Sequence, residues 1–239
     1  MKKKWFKWLG LASPNHASLT VEQKQRLSAW QALSYPPLKN PARESRYVVV
    51  DVETSGLNLL EDRLISIGAV AVVGGRVMLA DSYSAVLQQE KSSNRENILL
   101  HGIGGDAQCM GQPAADALLG FLEYMGKDSL VAFHVEFDET MIRRAMRRYL
   151  GLNFKHAWVD LAYVMPALNP SRGAEYHSLD DWVTAFGIGI DARHDATADA
   201  LATAQLLQVA LFMAHKYGHA SFAALRDLDK AQRWVSRVA

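Results

Sequence analysis

Residues 47–57 read YVVVDVETSGL and carry the clearest structural signal of the chain. Tyr47–Val52 is a nearly continuous apolar run, which is typical of a β-strand that is buried on both faces of a sheet. Asp51 and Glu53 stand at the end of this strand. Because alternate residues of a strand face the same side, both carboxylates are expected to point in one direction. Two like charges this close require a cation, or one of them must be protonated.

The pattern after this strand predicts a mixed sheet with helices on its faces. Leu64–Val73 and Arg76–Val86 are predicted to be the second and third strands, joined by a hairpin turn at Gly74-Gly75. Helical and short apolar patterns then alternate, which favours an α/β fold. The later predicted elements are a helix at Pro113–Tyr124, a strand at Leu130–Phe133, a helix at Glu139–Leu150, a strand at Ala157–Val159, a helical turn to about Leu168, and helices at Ser178–Phe186, Ala196–Tyr217 and Ser221–Val238.

The composition restricts the class of protein. Of the 239 residues, 49% are hydrophobic and 21% are charged, which excludes wholesale disorder. A single cysteine excludes an internal disulfide framework and a cysteine-based zinc site. No run of 18 or more uncharged apolar residues is present, so no transmembrane segment is predicted. A reducing compartment fits this cysteine usage, and we expect a cytoplasmic protein.

The formal net charge of +1 is a sum of two unlike parts. Residues 1–46 contain nine basic and two acidic residues, whereas the rest of the chain contains 17 basic and 23 acidic ones. The asymmetry predicts a basic extension on an acidic body. Ser18 or Thr20 is predicted to cap a helix that runs to about Leu33. For the extension four roles are open: a disordered tail, contact with an anionic membrane surface, binding of nucleic acid or a protein partner, or docking on the acidic body, with partner binding or self-docking favoured.

Four acidic residues and one histidine lie at the ends of predicted elements. Asp138 follows the fourth predicted strand, Asp199 opens the longest predicted helix, and His194 precedes Asp199 by five residues. A strand that simply ends in solvent would explain Asp51 and Glu53 alone. Together, the five residues are the set needed for two divalent metal ions and a general base. Hard oxygen ligands favour Mg²⁺ or Mn²⁺ over zinc.

Three motifs in this order resemble the DnaQ-like 3′–5′ exonucleases of the DEDDh group. Val49–Leu57 (VVDVETSGL) is similar to the first motif, Phe137-Asp138 to the second, and His194–Ala200 (HDATADA) to the third. The resemblance covers about Arg46 to Tyr217. It implies a ribonuclease H-like mixed five-stranded sheet flanked by helices.

The resemblance also implies a division of the chain into three parts. Residues 1–46 are predicted to form a basic extension with one helix, and residues 47–217 the exonuclease domain. Residues 218–239 are predicted to form a C-terminal helix packed on that domain.

The resemblance implies a role for each motif residue. It implies that Asp51, Glu53, Asp138 and Asp199 bind two Mg²⁺ ions, for which Mn²⁺ is expected to substitute, and that His194 activates the attacking water. The expected substrate contacts are Thr54, Ser55, Gly56, Leu57, His134 and Phe137. In the second motif, the family's usual Asn is replaced by His134, and Phe137 is read as core packing ahead of sugar contact.

The resemblance implies a metal-dependent 3′–5′ exonuclease that releases nucleoside 5′-monophosphates from the 3′ ends of single-stranded DNA or RNA. The alternatives are a proofreading-like accessory subunit and an RNA-trimming exoribonuclease of the same fold. A protein partner or an anionic surface could bind the basic extension.

Two further polar features have competing interpretations. Asp160 is expected to act in a cap or turn rather than as a metal ligand. A basic cluster on the helix after Asp138 is either a solvated face or a phosphate-contacting patch. The cluster consists of Arg143, Arg144, Arg147 and Arg148.

Overall fold

A five-stranded mixed sheet with the strand order β3-β2-β1-β4-β5 organises the protein. The structure is a computed structural model, and it describes residues 19–189 and 193–238. Neighbouring strands are antiparallel in the β1–β2 and β2–β3 pairs and parallel in the β1–β4 and β4–β5 pairs. The strands are β1 Arg46–Thr54, β2 Leu64–Val73, β3 Arg76–Val86, β4 Ser129–Ala132 and β5 Trp158–Asp160. The predicted mixed α/β sheet is thereby confirmed.

Helices cover both faces of this sheet. Within the described residues they are α1 Val21–Gln31, α2 Arg95–His101, α3 Gly105–Cys109, α4 Ala114–Met125, α5 Val135–Leu150, α6 Leu161–Leu168, α7 Pro170–Gly173, α8 Leu179–Ala185, α9 Ala196–Lys216 and α10 Phe222–Val238. Helices α2, α3 and α7 are absent from the sequence prediction. Helix α5 begins four residues before its predicted start, which brings Asp138 into its first turn.

Strand β1 separates two hydrophobic cores. Val48, Val50 and Val52 belong to the core that contains α4 and α5. Tyr47 and Val49 belong to the core that contains α6, α8, α9 and α10. Because side chains alternate along a strand, Asp51 and Glu53 continue the Tyr47–Val49 series and face α9.

Gly68 allows the first turn of α9 to lie directly on the sheet. It is the β2 residue paired with Asp51 in the antiparallel register. A Cβ atom at Gly68 would lie 2.2 Å from the backbone carbonyl carbon of Ala196 and 2.3 Å from the backbone nitrogen of Thr197. Only glycine permits such a close approach. The contact brings Asp199, which lies in the first turn of α9, toward Asp51.

Helix α9 is long and apolar enough to cross a membrane by length and composition alone. Its most apolar part is 56% buried inside the protein, as expected for the core helix of a globular domain. Length and composition are therefore weak evidence for a membrane segment here.

The described part of the N-terminal extension packs on the domain. Thr20 caps α1 in a capping box with Gln23. The indole N–H of Trp30 donates to the carbonyl of Gly126 at 2.6 Å, and the Lys127 ammonium lies 3.1 Å from the centroid of the Trp30 ring. Arg26 pairs with Glu123 and Asp116, two acidic residues of α4. These contacts favour the self-docking interpretation for α1. Ser18 and the basic segment formed by residues 1–10 lie outside the described part of the chain.

Candidate active site

Three carboxylates from β1 and α9 form a cluster with the chemistry of a metal site. Oxygen atoms of Asp51, Glu53 and Asp199 lie within 4.8 Å of one another. Glu53 and Asp199 are buried, and Asp51 is half-buried. Carboxylate oxygens at this separation are the ligands preferred by hard divalent cations. The donor set therefore fits the predicted magnesium site.

Electrostatics at the cluster support the same conclusion. Burial, followed by the negative charges of Asp199 and Asp195, raises the pKa of Glu53 to about 8. Burial also raises the pKa of Asp51 well above its ordinary value, and the nearby charges of Asp138, Asp199 and Glu53 add to the effect. These carboxyl groups cannot all be ionised at the same time unless a cation compensates their charge. A bound divalent ion would supply that positive charge.

Asp138 is the fourth predicted ligand. Its side chain is buried in the first turn of α5, and burial raises its pKa well above the ordinary value of an aspartate. Although Asp138 is not one of the three clustered residues, its charge contributes to the raised pKa of Asp51. The four predicted ligands therefore lie close enough for their charges to affect one another's pKa values.

Asp160 explains why α5 begins where it does. Its carboxylate accepts the backbone N–H of His134 at 2.9 Å, of Val135 at 3.0 Å and of Ala162 at 3.0 Å. One side chain therefore caps both α5 and α6, in agreement with the predicted cap role. His134 has the left-handed φ of 66° that turns the chain from β4 into α5. This turn places Asp138 at the site.

An arginine from α10 balances the charge of Asp160. The Arg233 guanidinium donates to Asp160 at 2.8 Å and to Asp229 at 2.5 Å, and it lies 4.3 Å from the centroid of the Tyr163 ring. Asp229 in turn accepts the backbone N–H of Asp160 at 3.1 Å. The last helix is thereby joined to the cap that sets the start of α5.

The third motif bends around Asp199. The Asp199 carboxylate accepts the backbone N–H of His194 at 3.1 Å, and His194 is an exposed residue with a φ of 62°. Asp195 caps α9 by accepting the backbone N–H groups of Thr197 and Ala198. The backbone of His194 is therefore hydrogen-bonded to a carboxylate of the cluster, and the role of its imidazole stays a prediction.

Arg193 is a site residue that the sequence analysis does not identify. Its guanidinium forms an ion pair with Asp199 and a second one, at 2.8 Å, with Asp180 of α8. The only sequence signal is a basic residue directly before the third motif. This arginine contributes a positive charge that lowers the pKa values of Asp51 and Glu53, although burial outweighs its effect.

The predicted substrate contacts differ in their exposure. Thr54 is buried, Ser55 and Gly56 are half-buried, and Leu57 is 84% exposed. His134 is exposed, and half-buried Phe137 packs against the α4–α5 core. The packing interpretation of Phe137 is therefore supported. The substrate roles of these residues remain predictions.

The sequence matches an exonuclease family model. The model RNase_T, described as "Exonuclease", matches residues 48–207, about two thirds of the chain. This region contains all three motifs.

Similar proteins include parts of bacterial DNA polymerases. The DNA polymerase III subunit epsilon of Aquifex aeolicus is 27% identical over 191 residues, which are 79% of this chain and 92% of that protein. The PolC-type DNA polymerase III of Thermotoga maritima is 27% identical over 196 residues, which are 82% of this chain. The match comprises only 14% of that polymerase, so the chain spans a small part of its length.

Two solved exonuclease structures share the fold. Escherichia coli exonuclease I in complex with a dT13 oligonucleotide has a TM-score of 0.60 and 20% identity, covering 73% of this chain and 42% of that one. Exonuclease X in complex with 5′ overhanging duplex DNA has a TM-score of 0.58 and 18% identity, covering 77% and 99%. At these identities the likeness concerns the fold, and the predicted ribonuclease H-like architecture is confirmed.

Proposed function

Since this chain belongs to the exonuclease family described by the RNase_T model, we propose that it removes nucleoside 5′-monophosphates from nucleic acid ends in the 3′–5′ direction. The predicted DnaQ-like family and exonuclease class are confirmed by this membership. The direction, the metal and the roles of individual residues are our proposal.

The carboxylate cluster is the observation that carries the proposal. Asp51, Glu53, Asp138 and Asp199 would hold two Mg²⁺ ions, with Mn²⁺ as a substitute. When bound, the ions would supply Lewis-acid stabilisation of the charge that develops on the phosphodiester oxygens. The raised pKa values of Asp51 and Glu53 support this assignment, because such a cluster favours cation binding.

His194 would act as the general base. An imidazole accepts a proton near neutral pH, and His194 lies in an exposed turn whose backbone is bonded to Asp199. The imidazole would take the proton of the attacking water while the turn holds the residue beside the cluster. Thr54, Ser55, Gly56 and Leu57 would receive the terminal nucleotide.

Single-stranded DNA or RNA ends are the proposed substrates. Exonuclease I, which shares the fold, is seen with a dT13 oligonucleotide. A cytoplasmic location and an anionic surface or protein partner for the basic extension stay predictions.

An accessory role in a polymerase complex is a second candidate function. It is favoured by the match to 92% of the Aquifex aeolicus polymerase subunit. Copurification of a polymerase with the full chain, lost on deletion of residues 1–40, would support this role. A chain that purifies alone and digests oligonucleotides at full rate would argue for a stand-alone nuclease.

The test of the proposed activity is degradation of 5′-labelled DNA and RNA oligonucleotides with Mg²⁺ or Mn²⁺. A ladder that shortens from the 3′ end is expected, and chelation with EDTA should abolish it. Asp51→Asn and Asp199→Asn should each lower the rate by roughly 10³-fold or more, since each removes a metal ligand. Asp227→Asn, a change at an exposed aspartate of α10, is the matched control and should be neutral.

His194→Ala should lower the rate by roughly 10²–10⁴-fold while leaving Mn²⁺ affinity unchanged. A wild-type rate in the Asp51→Asn protein would refute the metal assignment. A wild-type rate in the His194→Ala protein would remove His194 as the base.

A further inference from the structure

Arg144 of α5 is hydrogen-bonded to the loop that connects β1 to β2. Its guanidinium donates to the backbone carbonyls of Leu59 at 2.5 Å, Leu60 at 2.6 Å and Asp62 at 2.9 Å. These bonds occupy three of the five N–H donors of the side chain. Arg144 therefore matches neither interpretation of the basic cluster, because it is bound to protein carbonyls rather than presented to solvent or to phosphate.

The same loop, residues 55–63, is also held together by hydrogen bonds to Asp62, one of its own residues. The Asp62 carboxylate accepts the Ser55 hydroxyl at 2.7 Å and the backbone N–H of Asn58 at 2.8 Å. A Cβ atom on Gly56 would lie 2.4 Å from an Asp62 carboxylate oxygen, so the two residues pack without free space. Two independent sets of bonds thus fix the backbone of the loop.

The fixed loop carries two apolar side chains that the fold leaves uncovered. Leu57 and Leu60 are each 84% exposed. The loop follows directly after Glu53 and Thr54, so these leucines belong to the chain segment that leaves the carboxylate cluster. Exposed apolar groups on a loop that follows Glu53 suit the apolar face of a nucleobase whose phosphate lies at the carboxylate cluster.

We infer that Arg144 is a positioning residue for the 3′-terminal nucleotide: it holds loop 55–63 so that Leu57 and Leu60 offer a preformed apolar surface to the bases at the 3′ end. The inference rests on the proposed nuclease function. It assigns to Arg144 a role in substrate affinity that acts through the loop and requires no contact between Arg144 and the nucleic acid.

The first experiment needs no substrate. Hydrogen exchange of the metal-free protein is compared for wild type, Arg144→Met and the matched control Arg147→Met, which changes an exposed arginine of the same helix. The backbone N–H groups of Ser55, Glu61 and Asp62 are bonded within the loop and report on it. In Arg144→Met these amides should exchange about tenfold faster or more. Unchanged exchange would overturn the inference.

The second experiment measures steady-state cleavage of a single-stranded oligonucleotide. Arg144→Met should raise KM about tenfold while kcat stays within about twofold and Mn²⁺ affinity by calorimetry is unchanged. Arg76→Met, which changes an exposed arginine at the start of β3, is the control and should leave KM unchanged. Arg144→Lys keeps the charge but lacks the planar fork, so its KM should stay raised. A wild-type KM for Arg144→Lys would show that charge alone suffices and would overturn the inference.

The salt dependence of KM separates a positioned loop from a direct phosphate contact. Loss of one phosphate contact on single-stranded nucleic acid lowers the slope of log affinity against log salt by about 0.7. We expect the same slope for wild type and Arg144→Met, and a reduced slope would overturn the inference. A double-mutant cycle completes the test: Leu60→Ala should raise KM in the wild-type background but much less in Arg144→Met.

These measurements distinguish failure of the proposed nuclease function from failure of the positioning role of Arg144. A wild-type protein that degrades no oligonucleotide would refute the proposed function. Faster loop exchange together with an unchanged KM would refute the positioning role alone.

Discussion

Arg193 and Asp199 form an ion pair inside the carboxylate cluster. Asp199 shares this cluster with Asp51 and Glu53, and the Arg193 guanidinium also contacts the exposed carboxylate of Asp180. One carboxylate of the site is thus neutralised by a side chain of the same protein. Any divalent cation that binds Asp199 competes with this guanidinium.

Arg193→Gln should therefore strengthen metal binding. A hydrogen bond between charged groups contributes about 1.5–3 kcal/mol, so its removal is expected to raise Mn²⁺ affinity about tenfold. Titration calorimetry or the electron paramagnetic resonance signal of free Mn²⁺ measures the change. Arg226→Gln on α10 is the control and should bind Mn²⁺ like the wild type. Equal or weaker binding by Arg193→Gln would show that the arginine does not compete with the ion.

The metal-free protein should lose stability as the pH rises from about 4.5 to about 8. The pKa of Glu53 rises from 4.5 in the unfolded reference to about 8 in the folded protein, because burial and then the charges of Asp199 and Asp195 raise it more than Arg193 lowers it. Between these values the folded state binds more protons than the unfolded state, so the free energy of unfolding falls with pH.

Urea unfolding in EDTA at several pH values measures this dependence. Glu53→Gln should flatten it, and saturating Mg²⁺ should restore stability at pH 8 in the wild type. A pH-independent stability in this window would contradict the raised pKa.

Gly68→Ala should distort the carboxylate cluster, although the substitution changes none of the predicted metal ligands. The new Cβ would collide with the backbone of Ala196 and Thr197, so α9 must shift away from the sheet and move Asp199. We expect destabilisation by about 2 kcal/mol or more, together with weaker Mn²⁺ binding. Thermal unfolding and calorimetry give the two readouts. Gly104→Ala introduces its Cβ into open space and serves as control; a harmless Gly68→Ala would mean that the close approach is not required.

Arg233→Met should destabilise the protein by leaving a buried carboxylate without its cation. Asp160 is 1% exposed, while the Arg233 side chain is 27% exposed. Breaking a buried pair costs several kcal/mol, and partial exposure reduces the cost, so about 2–4 kcal/mol is expected. Urea unfolding with an unchanged m-value measures it. Arg226→Met on the same helix should change stability by no more than about 0.5 kcal/mol, and a similarly small effect of Arg233→Met would mean that α10 does not support the α5 cap.

The strands are the part of the fold most accessible from the sequence. β2 and β3 have the predicted bounds because two long runs of strand-forming residues flank a Gly74-Gly75 hairpin turn. β1 extends beyond its predicted end at Val52 to Thr54, because pairing with β2 continues through an irregularity at Glu53 and Thr54.

Features that depend on contacts between residues distant in sequence could not be predicted from the sequence. α5 starts at Val135 rather than Glu139 because Asp160, which is remote in sequence, caps its first amides. The four candidate acidic ligands and His194 can be identified from local motifs at element ends. Arg193 and Arg144 do not, since an isolated arginine in a sequence carries no sign of the carboxylate or carbonyl that it will meet.

The cluster joins Asp51 of the first strand to Asp199 of the penultimate helix, almost 150 residues apart in the chain. Contacts this distant form only after both segments have been synthesised and have left the ribosome. Under the proposed function, a growing chain therefore carries no assembled nuclease site until the segment that contains Asp199 has left the ribosome.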